Sequence, residues 1–167
     1  MKRTAVILCL VFSVFVLGCS KENRPEGLPK LYPTTIKIVM DGKPLEGASV
    51  NLIPESAGQW LVSGQTDSNG IVEIVTHGQF KGAPAGNYAV CVTKTHWEEG
   101  PTSKKPMPTE PFAQTAYRKQ LELERKSYQA VEDSFGTQAT TPLKMEVTTG
   151  KNTQDFEVKS SGKVPQS

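Results

Sequence analysis

From Thr34 onward, apolar and polar residues alternate with the period of two that a half-buried strand requires. Ile36, Ile38 and Met40 fall on one face of a first strand. Asp41-Gly42 is a strong tight-turn signal, and Lys43 to Gly47 carries the chain round. Val50 and Leu52 mark a second strand, which Pro54 stops. A third, weaker strand covers Trp60 to Gln65, and Thr66 to Gly70 is a turn. Val72 and Ile74 alternate with Ile71, Glu73 and Val75 in a fourth. A Gly- and Pro-bearing loop, His77 to Ala85, leads to the clearest strand, Gly86 to Lys94, with Tyr88, Val90 and Val92 on one face. Met145 with Val147, and Phe156 with Val158, mark the sixth and seventh. The pattern predicts an all-β fold over residues 34–159: a seven-stranded antiparallel β-sandwich.

Between the fifth and sixth strands lies an insertion, residues 95–141. Glu98 to Pro111 is proline-rich and reads as a loop. Residues from about 112 to 130 read as a helix, because Ala113, Tyr117, Leu121, Tyr128 and Val131 recur at helical spacings. Such a helix is expected to cap an edge or end of the sandwich. The segment after Lys159 is small and polar, so 160–167 is expected to be a disordered tail.

The N-terminus follows a different logic. Lys2 and Arg3 precede an apolar run from Ala5 to Leu17, 13 residues long. A membrane span needs about 20 apolar residues. The run suits a signal peptide, residues 1–18. Residues 19–33 carry Lys, Glu, Asn, Arg and Pro with few apolar groups and read as a tether between membrane and domain.

Charge and cysteine count change once that segment is removed. The chain has 19 basic and 17 acidic residues. Losing Lys2 and Arg3 leaves 17 of each, so the mature chain is neutral. Neutrality gives no electrostatic case for nucleic acid. Cys9 leaves with the signal, which makes an internal disulfide impossible if Cys19 is modified and Cys91 stands alone.

The run Val16-Leu17-Gly18-Cys19 resembles the lipobox of bacterial lipoproteins. The resemblance implies cleavage between Gly18 and Cys19, a diacylglyceryl group on the Cys19 thiol, and a further acyl chain such as palmitate on its freed amine. Two or more chains anchor a protein stably. Ser20-Lys21 lacks the aspartate that retains enterobacterial lipoproteins in the inner membrane, which favours the outer membrane.

The stretch Asp41-Gly42-Lys43-Pro44-Leu45-Glu46-Gly47-Ala48 resembles the opening of carboxypeptidase regulatory-like, or transthyretin-like, domains. Thr66 to Gly70 is similar to their T-D-x-x-G turn, and Ala83 to Tyr88 to their P-x-G-x-Y lead into a central strand. Val131 to Phe135 with Thr141-Pro142-Leu143 resembles their late loop. Together with the lipobox, the pattern resembles small lipoproteins of this class from planctomycete-like bacteria. The resemblance covers Thr34 to Val158 apart from the insertion, and speaks to fold rather than task.

Candidate chemistry is sparse. His77 and His96 flank a loop and the fifth strand, with no Cys or carboxylate at a metal-ligand spacing. Asp67-Ser68-Asn69-Gly70 lacks the bidentate Glu of a calcium loop. Cys91 lies opposite Tyr88, Val90 and Val92, and a nucleophile needs a base beside it. Two enzyme families of transthyretin-like topology are excluded by motif. The Tyr-Arg-Gly-Ser signature of hydroxyisourate hydrolases is missing, since Tyr117-Arg118 continues into Lys119. Intradiol dioxygenases place two Tyr before two His, whereas both His here precede Tyr117 and Tyr128. No catalytic set, cofactor or metal is expected. The expected role is a non-enzymatic, monomeric envelope module held to the membrane through Cys19, with an envelope protein or glycan as partner. The alternative is a glycan or small-molecule binder using Trp60, Trp97 and Tyr117, with Phe112, as an aromatic platform.

Overall fold

The computed structural model describes residues 24–56 and 58–164. The signal segment 1–18, the cleavage site at Gly18 and Cys19, and residues 165–167 lie outside the described residues. Each segment of apolar alternation forms strand, as β1 (Thr34–Met40), β2 (Ser49–Pro54), β3 (Val62–Gln65), β4 (Ile71–Glu73), β5 (Val75–Thr76), β6 (Gly86–Thr93), β9 (Lys144–Val147) and β10 (Asn152–Val158), and the insertion adds β7 (Thr95–Glu98) and β8 (Lys126–Gln129) without such alternation. One α-helix, α1 (Pro111–Glu124), lies between β7 and β8.

Two sheets carry the body. The larger runs β9-β6-β2-β3-β5 and ends on the short strand Phe80–Lys81. The smaller is centred on β1, with β10 along one side. Its other side is shared by Lys43–Pro44 at one end and β4 at the other. Ile36 and Ile38 from the smaller sheet meet Val50, Leu52, Tyr88, Val90, Val92 and Val147 from the larger in one core. These are the alternating positions of each strand, so the pleat aims one face of each sheet inward. Fully burying such an aliphatic side chain stabilises by about 1.5–3 kcal/mol. The molecule is all-β and sandwich-like.

The antiparallel expectation fails at one ladder. β10 runs parallel to β1 in register from Asn152 beside Thr34 to Val158 beside Met40. The predicted fourth strand is also two strands. Ile71–Glu73 pairs with β1, while Val75–Thr76 pairs with β3 in the other sheet. The chain changes sheets at Ile74, whose N–H donates to Thr34 O (2.9 Å) and whose carbonyl accepts Gly82 N–H (2.8 Å).

Two polar segments are tied to the body. Leu31–Tyr32, within the expected tether, pairs with Ala83–Pro84. Ser160, within the expected tail, bridges to Val131, and Lys163 reaches the Asp133 carboxylate at 2.7 Å. Composition alone suggests disorder there, but local backbone pairing holds both.

The insertion departs most from expectation. The helix ends at Glu124, not near 130, because Arg125 is extended and Lys126–Gln129 pairs antiparallel with Thr95–Glu98. Tyr128 therefore lies on β8, and Val131 beyond it. No residue of α1 is buried, so the helix does not cap the sandwich. It packs on a 3-10 turn, Pro101–Lys104, of its own insertion. β7, the turn, α1 and β8 together make an arm continuing outward from β6.

Candidate functional site

The ladders sort every candidate residue to one of two poles. β6 leaves Gly86 beside Val147, passes Tyr88 beside Pro54, and reaches Thr93 beside Ser49. At about 3.3 Å per residue, Gly86 to Thr93 spans roughly 23 Å. The pole at the Gly86 end carries residues 58–61, the His77–Gln79 turn, the turn before Asn152, and the incoming chain up to Pro33. The opposite pole carries the Asp41-Gly42 turn, the Thr66–Gly70 turn and the arm.

At the first pole Trp60 is half-buried, with His77 edge-on at 5.9 Å between ring centroids. His77 adopts a left-handed φ of 54°, and its N–H donates to Leu61 O at 2.7 Å. A cavity of about 320 Å³ opens between Trp60, Pro54, Tyr88 and the incoming residues Gly27 and Pro29. Tyr88 buries its ring and donates its hydroxyl to Pro84 O at 2.8 Å. Desolvation holds that phenol above its ordinary value.

Behind Trp60 a second cavity, about 370 Å³, reaches Asn51, Cys91 and Gly136. Cys91 is buried, on the face of β6 opposite the core positions Val90 and Val92. Burial pushes its thiol pKa up, and Lys144 offsets this in part. A raised thiol pKa suppresses the thiolate that a nucleophile needs.

At the opposite pole, the arm holds its own side chains together. The Arg125 guanidinium stacks over Trp97 at 4.3 Å and bonds Glu99 at 3.2 Å. The Tyr117 hydroxyl donates towards Lys105 O (2.8 Å) and Thr102 O (3.1 Å). The Tyr128 hydroxyl bonds Glu98 at 2.9 Å, and that bond raises its pKa. Phe112, Leu123, Met107 and Trp97 are exposed, at 89, 72, 53 and 50 % of their surface.

The expected platform of Trp60, Trp97, Phe112 and Tyr117 is therefore split. Trp60 stands at one pole and the other three on the arm at the other, a whole strand length apart. His77 and His96 separate the same way, since His96 lies on β7 opposite Tyr128. Among the described residues no three His, Cys, Asp or Glu side chains converge as metal ligands. The Asp67 carboxylate accepts Asn69 N–H (2.9 Å) and Ile71 N–H (2.8 Å), which makes Thr66–Gly70 a self-bonded turn. Among the described residues no helix is long and apolar enough to cross a membrane.

Sequence reading missed Leu61 and Arg125. Nothing local marks Leu61, since Trp60 to Gln65 reads as a strand and the exposure of Leu61 is set by the fold. Arg125 meets Trp97 only through the β7–β8 ladder, which no local pattern announces. No protein-family model, curated protein or solved structure matches this chain.

Proposed function

We propose that the chain is a lipid-anchored envelope protein, acylated on Cys19, whose transthyretin-like sandwich is a non-enzymatic interaction module. The sequence supports the anchor through the basic start, the short apolar run and Val16-Leu17-Gly18-Cys19 together. The carrying observation is polarity: the incoming chain enters at one pole, and the arm, with its four exposed apolar side chains, leaves from the other. An anchor at the N-terminus then presents the arm away from the bilayer, towards an envelope protein or glycan. Outer-membrane placement belongs to the same proposal.

The anchor is tested by acyl labelling and by the mass of the N-terminal fragment. Cys19→Ala abolishes labelling and leaves the precursor uncleaved; normal labelling of that variant rejects the reading. The module is tested by photo-crosslinkers at Phe112 and Leu123. Adducts in the envelope from these positions, and none from exposed Ile71 on the sheet, support the arm. A purified protein that turns over a substrate, with the activity lost in one point variant, rejects the non-enzymatic role.

Glycan or small-molecule binding by the arm is the second reading, favoured by the half-exposed Trp97 braced by Arg125. It requires Trp97→Ala to abolish binding to a glycan array while leaving the crosslinks unchanged.

A further inference from the structure

We infer that the pole carrying Trp60 and Leu61 rests on the lipid surface itself, as a second, interfacial contact beside the anchor; this builds on the acylation of Cys19 proposed above. The argument begins with reach. Arg24 is five residues beyond Cys19. A fully extended chain covers at most ~3.6 Å per residue, so Arg24 lies within about 18 Å of the acylated cysteine.

Arg24 is also not far from the pole. Pro25 to Leu28 form a turn closed by Leu28 N–H on Pro25 O, and Gly27 and Pro29 line the cavity beside Trp60. A Cβ on Gly27 would lie 3.9 Å from the Gln59 amide. The backbone is then fixed again where Leu31–Tyr32 pairs with Ala83–Pro84. The chain leading from the anchor thus runs beside Gly58, Gln59 and Trp60 before it enters β1. Little free spacer is left, so the short link holds this pole towards the membrane.

The surface of the pole fits that placement. Leu61 is 62 % exposed and sits next to the amphipathic Trp60 ring. Indole and aliphatic groups together suit the interface, where aromatic rings sit at headgroup level. Exposed Arg24, Lys30 and Lys151 share the pole with exposed Glu26 and Glu146. Lys81 and Lys144 there are ion-paired with Glu73 and Glu55. The surplus of one cation around an apolar tip favours anionic headgroups, with the apolar contact as the larger part.

The chain holds two tryptophans, and they report on opposite poles. The test uses the full-length acylated protein in phosphatidylethanolamine and phosphatidylglycerol vesicles whose lipids carry bromine near the headgroup. Trp97→Phe leaves Trp60 as the single reporter, and Trp60→Phe leaves Trp97. Trp60 emission is expected to fall by about half or more, as for rings at headgroup depth, with Trp97 unaffected. Trp60 unquenched, or quenched no more than Trp97, overturns the inference while leaving the anchor intact. The mass of the same preparation separates the two failures: absence of acyl groups on Cys19 refutes the anchor, and the orientation with it.

Discussion

The Glu124 carboxylate, on the last turn of α1, accepts both the backbone N–H and the hydroxyl of Thr102, each at 2.8 Å. That pair docks the arm's helix on its 3-10 turn, where no apolar core does so. The Gln120 amide adds a third bond at 2.8 Å. These bonds hold the carboxyl below its ordinary value of 4.5, Gln120 contributing most and then Thr102. A lowered folded value means the contribution is present above pH 4.5 and is lost as pH falls through the folded value. Amide chemical shifts of Thr102 and Ser103 are expected to stay constant from neutrality down to that range and to move only in stronger acid. Glu124→Gln should abolish this late transition.

Gly100 serves the same contact by being small. A Cβ there would lie 2.2 Å from Glu124 Cβ. Its φ of −75° is open to any residue, so the constraint is steric alone. Gly100→Ala is expected to release α1 from the turn, with faster proteolysis between Lys104 and Glu110. The unfolding midpoint of the sandwich should not move, because α1 buries nothing against it.

Gly70 is held by both its backbone and its neighbours. Its φ is +73°, and a Cβ would stand 2.4 Å from Ile38 O. That carbonyl accepts from Leu45, and Gly70 O accepts from Ile38, so the turn is sewn to β1. Gly70→Ala should cost about 2–4 kcal/mol, from left-handed strain plus displaced backbone, measured by denaturant unfolding.

Thr66 joins two turns. Its hydroxyl donates to Leu45 O and accepts Ala48 N–H at 2.8 Å, all buried. Thr66→Val keeps the shape and orphans both partners, with an expected loss of about 1–3 kcal/mol. Thr66→Ser should recover most of it.

Cys91 is expected to resist thiol reagents in the native state. In a chain starting at Arg24 it is the single thiol. Labelling by a disulfide reagent should be negligible when folded and complete in denaturant, at a rate that follows opening of the domain. Fast labelling of the folded chain would contradict its burial.

Where side chains alternate against one core, the sequence announces its strands. Ile36 and Ile38, Val50 and Leu52, and Val90 and Val92 do so because the pleat sends every second residue inward. Alternation says which face is buried and is silent about the neighbour. The parallel β1–β10 pairing and the split of Ile71 to Thr76 between sheets were therefore hidden. β7 and β8 were hidden for the opposite reason. All four residues of β7 are exposed, so no apolar period marks it. Lys126 to Gln129 is strand only because Thr95 to Glu98 lies beside it, and Leu121 and Tyr128 share a helical spacing by chance. The Trp60 pole is likewise tertiary: Gly27, Trp60, His77 and Tyr88 come from four separate segments.

The ladder between β1 and β10 sets an order of events. Thr34–Met40 emerges early in synthesis, yet its full-length partner is Asn152–Val158, more than a hundred residues later. Contacts of such separation are slow to form, because a long loop must close before any pairing rewards it. The opening strand therefore keeps one edge bare until nearly the whole chain is available.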